Sequence, residues 1–166
     1  LLGGCSNESS FTENNDIHQS FPSDEWLEFQ IAEHRKALFD DYLPFWESGG
    51  IDFQRGGFVC YLNDDGTVQD DRKDIWYQGR GIWVYAYLYN YIDDDPKWLA
   101  IAEKARDFMV EHMHRGDGTW LDTVNSHGEP VDGIDSSRDA NVYGALFAAA
   151  GLIQLAKATG NRQDLE

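Results

Sequence analysis

Apolar and polar positions follow several different rhythms along the chain. Residues 1–22 show no rhythm: Ser6 to Ser20 is rich in Ser, Asn and Glu and reads as a polar tether. A helical spacing begins at Trp26. Trp26, Phe29, Ala32, Leu38, Phe39, Tyr42 and Phe45 recur near helical periodicity, which predicts a helix from about 24 to 43. Ser23 supplies an N-cap, with Asp24 and Glu25 in the first turn, where the helix dipole favours acids. Pro44 and Gly49-Gly50 are expected to end this helix.

The run Gly56-Gly57-Phe58-Val59-Cys60-Tyr61-Leu62 predicts a short strand, turned at Asn63-Asp64-Asp65-Gly66. From about Lys73 to Asn90 the apolar residues go almost all the way round a helix: Ile75, Trp76, Ile82, Trp83, Val84, Tyr85, Ala86 and Leu88. Such a helix is expected to be buried on every side. Asp95-Pro96 opens the next helix, in which Trp98, Ala102, Ala105 and Met109 form one stripe and Glu103, Lys104, Arg106 and Asp107 point elsewhere. A last helix, nearly all apolar, is predicted from about Ser137 to Ala158, stopped by Gly160. Buried, amphipathic and buried helices alternate, the pattern of an inner and an outer ring. The fold class read from this is all-α, with short β-hairpins between repeated helix pairs.

The hairpins repeat. Gly56 to Gly66 aligns on Gly118 to Gly128 at a constant offset of 62 residues, matching the first Gly, the aromatic two places on, the Asn and the turn Gly. Units of this kind cannot bury their own apolar faces and stack on neighbours. The chain stops at Asn161 to Glu166, where an outer helix should begin, so truncation within a repeat is the expectation. The domain reading is a signal remnant and tether over 1–22, then one truncated domain over 23–166.

Composition narrows the functions. A chain of 166 residues with 42% apolar and 14% aromatic residues can fill a core. Six Trp suit a carbohydrate site, although most aromatic residues are expected in the core. Thirteen basic against 30 acidic residues leave a charge of −17, a field that repels nucleic acid. Cys60 reads as a core thiol. Leu2-Gly3-Gly4-Cys5 resembles a bacterial lipobox, with Cys5 the lipidated residue. That places the protein in the cell envelope; without lipidation the expectation is cytoplasmic. No other stretch is expected to reach membrane-spanning length. The glycine-rich spots are hairpin turns, so no nucleotide loop and no cofactor are expected. His112 and His114, two apart on a helix end, do not share a face for a metal.

The densest chemical signal runs from Asp70 to Trp83. Arg80 interrupts an apolar helix, which is costly unless the guanidinium meets acceptors or a wet cavity. Trp76 lies four residues earlier, on the same face. Two readings are open: a sugar-binding pair, with Arg donating to oxygens and indole stacking, or an arginine paired with a core carboxylate.

Asp52, Gly56-Gly57-Phe58, Leu62, Asp65-Gly66, Asp71, Lys73, Trp76-Tyr77-Gln78-Gly79-Arg80, Trp83 and Tyr89 together resemble the N-terminal signature of the N-acylglucosamine 2-epimerase family. That family also holds cellobiose 2-epimerases and related aldose–ketose isomerases. Tyr143, Phe147, Gly151-Leu152 and Thr159-Gly160 resemble its next inner helix, so the likeness covers about residues 25–160. It implies part of an (α/α)6 barrel with a sugar site at one end of the inner helices. Arg80 then matches the substrate-contacting arginine, and Tyr143 a tyrosine lining the pocket in cellobiose-type members. Adding the 62-residue offset to Arg80 lands one position before Tyr143.

The chemistry implied is proton abstraction beside the carbonyl of an open-chain sugar, through an enediolate, with two histidine bases from later inner helices. Here His18 is in the tether, His34 on the first helix, His112 and His114 at the end of an outer helix and His127 in a turn. No catalytic base is therefore expected within this chain. Two alternatives stay open: a glycoside or unsaturated-uronyl hydrolase on the same barrel, with Asp139 as a candidate carboxylate, and a non-catalytic carbohydrate-binding lipoprotein. The sugar is open, with the Trp76–Arg80 segment leaning towards the N-acylglucosamine branch. A nucleotide effector occurs in parts of the family, but no residue here supports one.

Overall fold

The structure, a computed structural model, describes residues 22–135 and 142–162. The tether, Cys5, His18, Asp139 and the start predicted for the last helix lie outside the described residues. The chain divides into two compact units, Leu1–Lys36 and Ala37–Glu166. In the first, Ser23 caps helix α1 (Asp24–Ala37) as expected, its Oγ accepting the Trp26 amide at 3.2 Å. No residue of α1 is buried.

In the second unit, helical turns do not stop at Pro44. A π-helical turn over Leu38–Tyr42 leads into the single turn α2 (Leu43–Phe45), and a second π-turn, Trp46–Gly50, follows. Pro44 stands at the start of α2. There its ring would normally strike the carbonyl four residues back; the wider π-turn, bonded five residues apart, relieves that conflict. Extended backbone at Ile51 ends the helical run.

The hairpin that follows is mostly loop. Only Tyr61–Leu62 (β1) and Val68–Asp70 (β2) pair, while Phe58 bridges back to Ile51. Lys73–Asp74 is not helix but strand β3, which pairs with Thr123–Val124 (β4) of the next hairpin in the register Lys73↔Val124 and Asp74↔Thr123. Three helices complete the unit: α3 (Ile75–Tyr91), α4 (Pro96–Met113) and α5 (Val142–Thr159). Asp95 caps α4 through the Lys97 amide at 2.9 Å. Gly160, at φ 73°, takes the left-handed turn that closes α5.

The 62-residue repeat survives in the backbone. Asn63 N–H donates to Thr67 O at 2.8 Å, and Gly66 N–H to Asn63 O at 2.9 Å. Sixty-two residues on, Asn125 N–H donates to Glu129 O at 2.9 Å and Gly128 N–H to Asn125 O at 3.0 Å. Both turn glycines have positive φ, 83° at Gly66 and 81° at Gly128, which explains their place in the repeat.

Helix α4 is amphipathic as predicted: Trp98, Ala102, Ala105 and Met109 are all buried. The expectation for its neighbours needs correction. Helices α3 and α5 are not buried all round. Ile75, Ile82, Tyr85, Ala86 and Leu88 face the core, but Trp76, Trp83, Val84 and Tyr87 on α3 and Val142, Tyr143, Leu146 and Ile153 on α5 are exposed. Among the described residues, the helices packed most closely on α3 are α5 and α4, and they leave an arc of its surface open. A second correction concerns α5, which is long and apolar enough to meet the criterion for a membrane span. Its small residues have another cause, its close crossing with α3.

That crossing is backbone on backbone. A Cβ on Gly79 would lie 2.3 Å from the Phe147 carbonyl carbon, and one on Gly151 would lie 2.5 Å from Gly79 O. Only glycine at both positions lets the helices approach this closely.

Candidate functional site

The segment from Trp76 to Gly81 divides residue by residue between scaffold and open surface. Gln78, fully buried, clamps the hairpin: its Oε1 accepts the Phe58 amide at 2.7 Å and its Nε2 donates to Phe58 O at 2.8 Å. Gly79 seats α5. Gly81 makes room for the Phe58 ring, which would meet an added Cβ at 2.2 Å. Trp76, Tyr77 and Arg80 are left exposed.

Arg80 therefore does not sit inside the core, and the carboxylate-paired reading fails: among the described residues it has no ion pair. Its guanidinium carbon lies 5.6 Å from the Trp76 ring centre and 5.4 Å from that of Phe147. Those two rings stack at 5.8 Å and 21°. The result is an indole–phenyl platform with a cation whose donors stay free for a ligand. Tyr143 stands one turn before Phe147 on the same side of α5, 67% exposed. Among the described residues it makes no hydrogen bond or ring contact with Arg80 or Trp76, and the α5 ring beside Arg80 is that of Phe147. The repeat pointed to Tyr143 because it tracks backbone position, whereas the ring that arrives is set by the Gly79–Phe147 crossing.

A cleft of about 440 Å³ opens beside Trp76, at the N-terminal ends of α3 and α5, lined also by Tyr61, Arg72, Asp74, Asp122, Ile134 and Gly144. Asp74 precedes α3 but does not cap it. Its oxygens instead accept Tyr61 Oη at 3.2 Å and Thr123 Oγ1 at 2.8 Å. Arg72 lies over the Tyr61 ring at 4.3 Å and is paired to Asp70 at 2.8 Å. None of these cleft positions was singled out from sequence as a site residue. A further cavity of about 380 Å³, between the Phe53 loop and α4, holds none of the predicted site residues.

Behind the site stands a buried cation. Lys73 is fully buried, and its Nζ donates to Asp52 Oδ2 at 2.9 Å, Gly56 O at 2.6 Å and Ser126 O at 3.4 Å. It also lies 3.8 Å from the centre of the Phe108 ring. One side chain thus ties both hairpins to the start of α3. Burial lowers the Lys73 pKa, since losing water disfavours the charged ammonium. Burial tends to raise the Asp52 carboxyl, but donation from the Arg55 amide, from Lys73 and from the Gln54 amide outweighs it and holds Asp52 below 3.8. Cys60, partly buried under Asp74 N–H, is an inert thiol, pushed up to about 12 by burial.

Among the described residues of the second unit, no histidine makes a hydrogen bond or ring contact with Arg80, Trp76 or Phe147. His34 is exposed on α1 in the other unit, and His127 is exposed in the second turn. His112 packs on Phe108 and His114 on Trp120, with ring centres 4.7 Å apart in both pairs. Among the described residues, no three His, Cys, Asp or Glu side chains gather to hold a metal.

Residues 56–165 match the family described as N-acylglucosamine 2-epimerase. The chain belongs to this family. Among members of the N-acylglucosamine 2-epimerase family, the human N-acylglucosamine 2-epimerase is 42% identical over 75 residues, 44% of this chain and 18% of that protein. The cellobiose 2-epimerase of Bacteroides fragilis is 24% identical over 135 residues, 80% of this chain and 33% of that protein. The solved cellobiose 2-epimerase of Spirochaeta thermophila superposes with a TM-score of 0.73 at 26% identity, over 86% of this chain and 34% of that one. The chain spans about a third or less of the length of these relatives.

Proposed function

We propose that this chain supplies the sugar-contacting arc of a sugar 2-epimerase of the N-acylglucosamine type. The observation that carries this reading is the Arg80–Trp76–Phe147 platform, formed where α3 and α5 cross, in a chain of this family. Sugar rings lay C–H faces on aromatic surface, and a free guanidinium donates to the hydroxyl and carbonyl oxygens at the ring edge. Arg80 binds and orients the open-chain sugar and offsets charge as the enediolate forms. Tyr143, one turn before Phe147 on α5, is read from the family resemblance as a further residue bordering this pocket.

In the reaction, a base takes the proton from C2 and the electron pair passes to the carbonyl oxygen. A second acid then returns a proton to C2 on the opposite face. Neither group is assigned to this chain: His112 and His114 pack on Phe108 and Trp120 instead of on the platform. The architecture that fits is part of an (α/α)6 barrel, with α3 and α5 as inner helices and α4 as an outer one. The lipobox-like Leu2-Gly3-Gly4-Cys5 supports a lipid anchor at Cys5 and a place in the cell envelope.

The test is incubation of the full-length protein with N-acetylglucosamine or cellobiose in deuterated water. Epimer carrying deuterium at C2 is the expected product. Release of a new reducing end without C2 exchange would instead identify a hydrolase.

A further inference from the structure

Trp83 belongs to no part of the Trp76–Phe147 stack, yet it stands on the same side of α3 as Trp76. Two helical turns separate the two indoles, with Arg80 between them, and all three side chains are exposed. Helical side chains lean towards the N-terminus and cover the turn before their own Cα. The Trp83 indole accordingly leans towards the turn that carries Arg80, as the Arg80 guanidinium leans towards Trp76.

The indole is braced from one side. Tyr87 stacks on it at 4.8 Å and 20°, and Tyr91 follows Tyr87 at 4.6 Å. Helix α5 anchors the far end of this ladder. Lys157 Nζ donates to Tyr91 Oη and lies 4.8 Å from the ring centre, and Asn90 Nδ2 donates to Gln154 O at 3.2 Å. Stacking at so small an angle covers one indole face. Tyr87 lies on the C-terminal side, so the other face is turned towards Arg80. Among the described residues no ring stacks on that face, and Trp83 is 39% exposed. A ring already fixed from behind loses little freedom when a ligand meets its front, which favours binding.

The free face and the guanidinium together suit one kind of ligand. An indole face takes C–H surface, and a guanidinium donates to oxygens. A polyhydroxylated carbon chain carries both on adjacent atoms. An anion would be held by Arg80 alone, because the indole face is itself electron-rich.

We infer that Trp83 is a further substrate-contacting residue, the floor on which the C–H surface of the sugar rests while Arg80 holds its oxygens. This rests on the epimerase reading for the sugar and adds a residue to its site.

The experiment puts 5-fluorotryptophan in place of Trp83 alone in the full-length protein and, in a second sample, in place of Trp76 alone. Fluorine NMR, read before and after addition of N-acetylglucosamine or cellobiose, reports each indole independently of turnover. For at least one of the two sugars both signals should move, saturably and with the same Kd. Trp83→Leu should raise the KM for that sugar roughly 3–10-fold and leave kcat within about twofold, as expected of one aromatic contact made equally in the ground and transition states. A Trp76 signal that moves while the Trp83 signal stays still would overturn the floor and leave the platform standing, as would an unchanged KM in the Trp83→Leu protein. The fluorinated protein differs by a single fluorine, so the NMR result decides whether or not Trp83→Leu folds. Signals that stay still in both samples with either sugar would overturn the platform as well.

Discussion

Arg80 and Gln78 stand two positions apart in one helix and do opposite work. Both are polar residues in an apolar run, and from sequence they share one segment in which only Arg80 draws notice. The structure separates them by exposure. Replacing Arg80 with Ala removes an exposed cation with no ion pair among the described residues and only long contacts to the Trp76 and Phe147 rings, so unfolding free energy should change by less than about 0.5 kcal/mol. Turnover by the full-length protein should fall by roughly 10²–10³-fold, the usual cost of losing one donor at a developing oxyanion. Gln78→Leu should do the reverse. It strands Phe58 N–H and C=O in the core and should cost about 1–3 kcal/mol in urea unfolding. A variant at Arg80 that unfolds as readily as one at Gln78 would contradict this division. The Asp52–Lys73 pair adds a pH signature. The folded pKa of Asp52 is depressed below 3.8, so its contribution is complete above the unfolded value near 3.8 and drains away as pH falls through the folded one. Asp52→Asn should therefore flatten the acid limb of the stability curve, measured by urea titrations between pH 2.5 and 7, and leave its shape above pH 5 unchanged. Arg80 and Trp76 were legible from sequence because a charge inside an apolar helix is conspicuous. Phe147 was not, since a phenylalanine in an apolar helix carries no mark of the crossing that brings it to Arg80.

At the scale of elements, the α3–α5 crossing decides whether a site exists. Gly79 and Gly151 admit backbone where any side chain would intrude, and Phe147 reaches Arg80 only because the helices meet there. Gly79→Ala places a methyl about 2.3 Å from the Phe147 carbonyl carbon, a backbone atom that no rotamer change can move aside. The expected cost is about 1–3 kcal/mol, typical of overpacking. The displaced α5 should also weaken sugar binding, measured by titration calorimetry on the full-length variant. An unchanged melting temperature with unchanged binding would refute the crossing. Helix positions, the Ser23 and Asp95 caps, the Gly160 stop and the repeated turn were readable from sequence because each depends on neighbours in the chain. The π-turns around Pro44 were not, nor was the pairing of β3 with β4. The first arises from conflict with the proline ring, and the second from two segments about 50 residues apart whose short lengths carry no alternating pattern.

For the whole molecule, the misjudged burial of α3 and α5 carries the most information. Trp83, Tyr87 and Tyr91 form a ladder of rings with centres 4.8 and 4.6 Å apart, yet each is exposed, as are Leu146 and Ile153 on α5. Sequence periodicity read these helices as fully enclosed, and composition supports that reading: such residues normally face protein. The described helix neighbours enclose only part of α3, and this chain covers only 34% of the solved cellobiose 2-epimerase on which it superposes. Large contiguous apolar patches are rare on proteins that stay monomeric. The 166-residue chain on its own should therefore self-associate in sedimentation experiments at micromolar concentration and enhance the fluorescence of an apolar dye. Turnover of N-acetylglucosamine or cellobiose should be undetectable, because no histidine among the described residues of the second unit reaches the platform. The full-length protein, if further helix pairs complete the ring, should sediment as a defined species, leave the dye dark and exchange deuterium into C2. A dye-silent, monomeric 166-residue chain would mean that these faces are solvated by design, and turnover by that chain would place a base among residues assigned to scaffold.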